Sequence, residues 1–158
     1  MFNAASSGLN VLLSTVSSDA HTWNLVYLQL LLEDHGHQVG NLGACVPDQL
    51  LVDRCRTDRP DLVVISTVNG HGAQDGARVV RLLREQPELA GTPIVIGGKL
   101  GIAGNSTAAA DDLLAAGFDA VFDDDSDLDR FLRYVESVEQ KRAAEAAEDA
   151  SRALAVVG

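Results

Sequence analysis

Cationic side chains are scarce in this sequence. Lys and Arg number 12 against 23 Asp and Glu, which gives a formal net charge of −11. A surface with this excess of negative charge repels phosphate backbones and anionic lipid headgroups. We therefore expect neither nucleic acid nor a membrane as a partner of this chain.

Long apolar runs and secretory features are also missing. No stretch approaches the roughly 20 apolar residues of a membrane-spanning helix. The first residues, "MFNAASSGLN", lack the cationic start and apolar core of a signal peptide. Cys45 and Cys55 lack the close-set partners of a thiolate metal site or a redox pair. We therefore expect a cytoplasmic protein with two ordinary reduced thiols.

The sequence does contain a regular alternation of two hydrophobic patterns. Runs rich in Val, Ile and Leu predict five strands, at 9–16, 37–43, 61–68, 92–98 and 118–123. Apolar residues at helical spacing predict helices at 23–34, 47–58, 76–86 and 107–117, and another from about Ser126. Parallel strands need helical crossovers, so this alternation predicts an α/β fold. We expect a single doubly wound, flavodoxin-like (Rossmann-like) domain with a five-stranded parallel sheet in the order 2-1-3-4-5.

Composition changes near the end of the chain. The 158 residues, 46% of them hydrophobic, suffice for one sizeable core. Beyond Glu136 the sequence becomes rich in Ala and Glu, which is typical of a solvated helix or a fraying tail. We place the folded domain at 8–137 and a C-terminal helical extension or tail at 138–158.

Three loops follow strands at the edge where open α/β sheets bind ligands. They read "SSDAHTW", "STVNGHG" and "GGKLGIAGNS". The first loop has no glycine, so a dinucleotide-binding fingerprint is excluded. The third strand ends in Ser66 and Thr67, where a receiver domain would need an aspartate. Asp19, His21, Ser66 and His71 are expected to lie together at the switch point of the sheet.

The four histidines differ in what their positions suggest. Imidazole is a common metal ligand, and a ligating histidine usually donates its second ring proton to a carboxylate. Asp19 is close enough to His21 for that role, although these two residues taken alone are better explained by a helix-capping aspartate beside a solvated histidine. His35 and His37 are expected at the surface near a helix end, and His71 either touches a ligand or partner or is a plain loop residue.

Three motifs together resemble the cobalamin-binding protein family, whose pattern is D-x-H-x-x-G, then S-x-L, then G-G. Here they are "DAHTWN" (19–24), "STV" (66–68) and "GG" (97–98), in the same order and after the corresponding strands. The "SSDAH" lead-in and the later "NGHG" are most similar to the small subunits of glutamate mutase (methylaspartate mutase). Two residues depart from the pattern: Asn24 replaces the motif glycine, and Val68 replaces leucine.

The resemblance implies adenosylcobalamin as the cofactor. It makes His21 the lower ligand of the cobalt, with Asp19 accepting the other ring proton, and it makes Ser66 a hydrogen-bonding partner of the displaced benzimidazole tail. The cofactor-binding residues that it implies are Ser18, Asp19, His21, Thr22, Ser66, Thr67, Val68, Gly97, Gly98, Lys99, Leu100 and Gly101. It implies no catalytic residue in this chain alone.

By the same resemblance, the function is that of the cobalamin-binding small subunit of a radical carbon-skeleton mutase, an isomerase that converts L-glutamate to 3-methylaspartate. The implied partner is a larger TIM-barrel subunit, because this chain shows no second domain for substrate. One alternative is a free-standing corrinoid module, either a methyl carrier or a sensor. A flavodoxin-like interaction domain without cofactor is a third reading, which leaves the three motifs unexplained.

Overall fold

The computed structural model of the chain describes residues 8–100, 106–123 and 127–157. Its strands are β1 (Asn10–Ser14), β2 (Gln38–Asn41), β3 (Leu62–Thr67), β4 (Ile94–Gly98) and β5 (Ala120–Asp123). Its helices are α1 (Trp23–Asp34), α2 (Asp48–Asp58), α3 (Gly72–Arg84), α4 (Ser106–Ala116) and α5 (Leu128–Val156). All strand pairs are parallel, in the order β2-β1-β3-β4-β5. The predicted fold class and strand order are confirmed.

The sheet is covered on both faces, as its apolar strands require. Every residue of β3, "LVVIST", is buried. Val63 and Ile65 pack into one hydrophobic cluster with helices α2, α3 and α4, while Val64 packs into a second cluster with α1 and α5. Because successive side chains of a strand point to opposite faces, this alternation continues at the end of β3. Ser66 and Thr67 therefore face opposite sides of the sheet.

Helix α3 begins at Gly72, four residues before the predicted start at 76. The glycines in "NGHGAQDG" argue against helix by propensity, but both Gly72 and Gly76 are buried against the sheet. Tertiary packing thus overrides the local preference. A short 3₁₀ helix at Pro87–Leu89, which the hydrophobic pattern did not predict, precedes β4.

Helix α5 continues without interruption through the Ala- and Glu-rich segment. Its first turns bury Phe131 and Val135 against the sheet. Arg142 reaches Asp61 at the start of β3, with 2.9 Å between Nε and Oδ1. The extension is therefore helical rather than a loose tail, and the domain boundary at 137 stays a prediction. Among the described residues, no helix is long and apolar enough to cross a membrane.

The expectation that His37 lies at the surface is wrong. Its exposed fraction is only 6%, and its Nδ1 accepts a hydrogen bond from the backbone N–H of Leu9, 3.1 Å away. His37 lies three residues after the end of α1 and directly before β2. His35 is exposed, as expected. Cys45 and Cys55 are both free thiols.

Candidate functional site

The carboxylate of Asp19 lies fully buried between the loop after β1 and the end of β3. Its Oδ1 accepts hydrogen bonds from the backbone N–H of His21 at 2.9 Å and from His21 Nδ1 at 2.7 Å. Its Oδ2 accepts from Thr67 Oγ1 at 2.7 Å and from the backbone N–H of Val68 at 2.8 Å. Both oxygens are thus fixed by two donors each.

These donors keep the carboxyl group of Asp19 ionised. Burial by itself raises the pKa of Asp19, but the hydrogen bonds from His21, Thr67 and Val68 outweigh it and lower that pKa to about 2. An ionised carboxylate only accepts, so the Nδ1 of His21 carries the proton that it shares with Oδ1. In the tautomer with the proton on Nδ1, Nε2 is the ring nitrogen that carries the lone pair. The His21 side chain is 52% exposed, so an external group can approach it.

Thr67 is held in place by the start of α3. A Cβ added at Gly72 would come within 2.3 Å of Thr67 Cγ2 and 2.8 Å of Thr67 Oγ1. Only glycine therefore lets α3 approach Thr67 this closely. Gly72 is not among the predicted site residues, although it belongs to the "NGHG" motif.

A polar network supports the loop after β1. Ser18 Oγ donates to a carboxylate oxygen of Asp75 and accepts from Asn69 Nδ2 at 2.9 Å. Arg78 binds Asp75 at 2.7 Å and Asp48 of α2 at 2.6 Å. The network thus joins this loop to α2 and α3. Asn69, Asp75 and Arg78 were not predicted; of these, Asp75 lies before the predicted start of the helix at 76 but inside α3.

A second feature of this edge is an apolar cavity of about 340 Å³ between α1, the ends of β3 and β4, and α5. Its volume lies in the range of about 300–1,000 Å³ that small-molecule sites occupy. Aromatic side chains of α1, β5 and α5 form much of its wall: Trp23, Tyr27, Phe122 and Phe131. We call it the tail cavity.

The glycine pair that ends β4 forms part of this wall. Gly97 pairs with Ser66 and Gly98 with Thr67 in the sheet. Gly98 has φ +116°, and a Cβ on it would lie 1.9 Å from the carbonyl oxygen of Thr67. A side chain at this position would therefore clash with the backbone of β3 and is also disfavoured by the backbone conformation.

Two polar side chains meet in the wall of the tail cavity. Asn24 and Ser66 have exposed fractions of 6% and 4%. Asn24 Nδ2 donates to Ser66 Oγ at 2.8 Å, and Asn24 Oδ1 is buried without a hydrogen-bonding partner among the described residues. A buried acceptor left without a partner is unusual in a folded protein.

Residues 9–133 match the family of the B12 binding domain. The chain belongs to this family. The glutamate mutase sigma subunit 2 of Haloarcula marismortui is 28% identical to this B12-binding domain over 120 residues, which cover 74% of this chain and 78% of the relative. The HTH-type transcriptional repressor CarA of Myxococcus xanthus is 35% identical over 95 residues, which cover 60% of this chain and 32% of that protein.

The fold is also that of a solved cobalamin-binding protein from Desulfitobacterium hafniense DCB-2. The two structures superpose with a TM-score of 0.61 at 23% identity. The match covers 73% of this chain and 52% of that one. The B12-binding domain described here thus spans about half the length of that protein, and at this identity the likeness concerns the fold alone.

The residues singled out from the B12-binding motifs fall into three groups. Asp19, His21, Thr67 and Val68 form one hydrogen-bonded unit, which the Ser18 network supports. The tail cavity is lined by four of them, Ser66, Val68, Gly97 and Gly98.

The third group is not part of the cavity lining. Thr22 and Lys99 are exposed, and Leu100 packs into the core beside α3 and α4. His71 is exposed and immediately precedes α3. Gly101 lies outside the described residues.

Proposed function

We propose that the chain is the cobalamin-binding small subunit of an adenosylcobalamin-dependent carbon-skeleton mutase, with L-glutamate to 3-methylaspartate as the reaction. The observation that carries the proposal is the Asp19–His21 pair. A buried, ionised carboxylate holds Nδ1, and Nε2 is left with a free lone pair on a half-exposed ring. This arrangement suits a metal ligand with a fixed ring orientation.

The residues at the sheet edge fit a corrinoid with a nucleotide tail. His21 offers one nitrogen to the cobalt from the rim of the site. The tail cavity offers apolar, aromatic walls for a flat heterocycle, and Ser66 places a hydroxyl group in that wall. Gly97 and Gly98 add no side chain to their part of the cavity wall.

Each residue has a separate task in this proposal. Asp19 fixes the tautomer and the ring orientation of His21, while Thr67 and Val68 hold Asp19. Ser66 donates its hydroxyl proton to the free ring nitrogen of the lower base. When bound, adenosylcobalamin supplies radical chemistry by homolysis of its cobalt–carbon bond, and the protein supplies binding and orientation.

The proposal includes a larger TIM-barrel subunit, which binds the substrate and covers the upper face of the corrin. The relative from Haloarcula marismortui, itself named as a subunit of a glutamate mutase, supports this reading. The exposed side chains Trp23 and Tyr27 lie at the mouth of the site, where such a partner would dock.

The ligand assignment is tested by electron paramagnetic resonance of the protein loaded with cob(II)alamin. Protein carrying ¹⁵N-labelled histidine is expected to show altered superhyperfine splitting from one nitrogen on the lower face of cobalt. The splitting is expected to vanish in His21→Gly and to persist in His71→Gly, the matched control. A protein nitrogen on cobalt in His21→Gly would overturn the assignment.

The reaction is tested by adding a glutamate mutase barrel subunit, adenosylcobalamin and glutamate. Turnover is expected only when both proteins are present, and turnover by this chain alone would contradict the two-component reading. A free-standing corrinoid module that acts as a sensor is a second candidate, which the similarity to a transcriptional repressor favours. Cobalamin binding without turnover beside several barrel subunits would support that candidate.

A further inference from the structure

The hydrogen bond between Asn24 and Ser66 has a direction. Asn24 Nδ2 is the donor and Ser66 Oγ the acceptor, at 2.8 Å. The reverse arrangement would leave the amide N–H₂ of Asn24 buried and unpaired, whereas the observed one leaves its carbonyl oxygen unpaired. Unpaired buried carbonyl groups are the more tolerable of the two. The Ser66 oxygen therefore accepts from Asn24.

This direction decides where the hydroxyl proton of Ser66 goes. A hydroxyl group has one proton to donate, and the proton does not point at Asn24 when Oγ accepts from Nδ2. Among the described residues, Ser66 Oγ makes no hydrogen bond besides the one that it accepts from Asn24, so its proton has no acceptor there. Ser66 lines the tail cavity, so the proton is available to an acceptor that enters there.

Asn24 stands where the cobalamin-binding motif has glycine, so the motif itself does not supply this contact. We propose that Asn24 is a positioning residue: it directs the Ser66 hydroxyl proton into the tail cavity and so makes the cavity selective for a lower base with an unprotonated ring nitrogen. The inference rests on the proposed function, because it assumes that a corrinoid tail enters the cavity. Asn24 acts through Ser66 and needs no contact with the base.

Asn24→Asp is the decisive variant because it keeps the shape of the side chain and replaces the N–H₂ donor by a carboxylate oxygen, which accepts when ionised. An ionised carboxylate at this position accepts the Ser66 proton and withdraws it from the cavity. When the new carboxyl is protonated, its O–H again donates to Oγ, as the amide does. Selectivity is therefore expected to be lost at mildly alkaline pH and restored at mildly acidic pH. Asn24→Leu, the shape-matched apolar control, has no such pH profile.

The measurement is the dissociation constant of three corrinoids, followed by absorption spectroscopy. Cobalamin carries a ring nitrogen, p-cresolylcobamide carries an aromatic tail without one, and cobinamide has no tail. Asn24→Asp is expected to weaken cobalamin binding by about tenfold at alkaline pH, as for one lost buried hydrogen bond. Binding of the other two corrinoids is expected to stay the same. In free cobalamin the lower base must first leave the cobalt, which costs free energy. This cost is the same for every protein variant, so it cancels when their dissociation constants are compared.

A double-mutant cycle with Ser66→Ala separates positioning from mere structure. If Asn24 acts through Ser66, Asn24→Asp has no further effect on cobalamin binding once the hydroxyl is gone. Equal weakening of all three corrinoids, or a pH-independent loss, would overturn the inference while leaving the proposed function intact. Failure of the unmodified protein to bind any of the three would overturn the proposed function itself.

Discussion

Thr67 and Asp19 link the end of β3 to the loop after β1 through one buried hydrogen bond, 2.7 Å from Thr67 Oγ1 to Asp19 Oδ2. The neighbouring residue, Ser66, faces the opposite side of the sheet and lines the tail cavity. Two adjacent residues of one strand thus serve two different parts of the site. Thr67 holds Asp19, which in turn bonds the imidazole of His21, and Ser66 faces the tail cavity.

This division predicts different effects of two matched substitutions. Ser66→Val is expected to weaken cobalamin binding by about 10- to 100-fold, because a base nitrogen loses its donor and Asn24 Nδ2 loses its acceptor. Thr67→Val is expected to cost less, about three- to tenfold, since Asp19 keeps three of its four donors. A binding titration measures both.

Tail-less cobinamide distinguishes the two effects. Ser66→Val should bind it as the unmodified protein does, because no base enters the cavity. Thr67→Val should weaken cobinamide and cobalamin by similar factors, because the imidazole is the group affected. Equal losses of cobalamin binding in the two variants would contradict the assignment of separate roles.

Asp19→Asn is expected to weaken cobalamin binding without abolishing it. The amide keeps one acceptor oxygen, but its N–H₂ group faces donors and the negative charge is gone. Mutation of the residue that hydrogen-bonds a metal-ligating histidine typically lowers the affinity about 10–100-fold. The exposed Asp53 of α2 provides a control, since Asp53→Asn removes one negative charge far from the site. Equal affinities of the two variants would count against a role for Asp19.

The sequence predicted the part of the site that depends on strand ends. Asp19, His21, Ser66 and Gly97 follow or end buried strands, and a parallel sheet brings such positions to one edge whatever the details of packing. The opposite orientation of Ser66 and Thr67 also follows from strand alternation alone. These inferences rest on the periodicity of the chain, which is visible in a single sequence.

The rest depends on packing that no local pattern encodes. Gly72 belongs to α3 because the helix packs against Thr67, and helix propensity argues the other way. The ion pair of Asp75 with Arg78 depends in turn on where α3 begins. His37 is buried and lies beside a pocket that it shares with residues of α5 about a hundred positions later in the chain. Such tertiary effects explain why these residues were missed.

Gly72→Ala is expected to destabilise the fold and loosen the site. The new Cβ would lie 2.3 Å from Thr67 Cγ2, so either α3 or Thr67 must move. Overpacking of this kind typically costs about 1–3 kcal/mol. Gly70→Ala is the matched control, because a Cβ there meets no atom within 4 Å. Urea unfolding should show the loss only in Gly72→Ala, and equal stability of the two variants would refute the packing argument.

The stability of the fold is expected to depend on pH through His37. Burial lowers the pKa of His37 below its ordinary value of 6.5, His35 lowers it further, and Glu139 of α5 opposes the shift. Its Nδ1 also accepts the N–H of Leu9, a bond that the protonated ring cannot keep. The folded protein therefore takes up this proton at lower pH than the unfolded chain does.

Because of this difference, the free energy of unfolding is expected to decrease as the pH falls. Below pH 6.5 the unfolded chain binds the proton first, so the stability that His37 contributes is complete above pH 6.5 and decreases as the pH falls towards the folded pKa. The slope is at most about 1.4 kcal/mol per pH unit. Asp129, Arg133 and Glu136 of α5 line the same pocket as His37.

His37→Gln isolates the effect, because its side-chain oxygen can still accept from Leu9 while the side chain does not titrate. The difference in unfolding free energy between the unmodified protein and this variant is expected to be constant above pH 6.5 and to change in favour of the variant below it. Glu139→Gln removes the charge that opposes the shift, so the decrease should extend to lower pH. Parallel curves for the unmodified protein and His37→Gln would show that the buried imidazole does not govern acid stability.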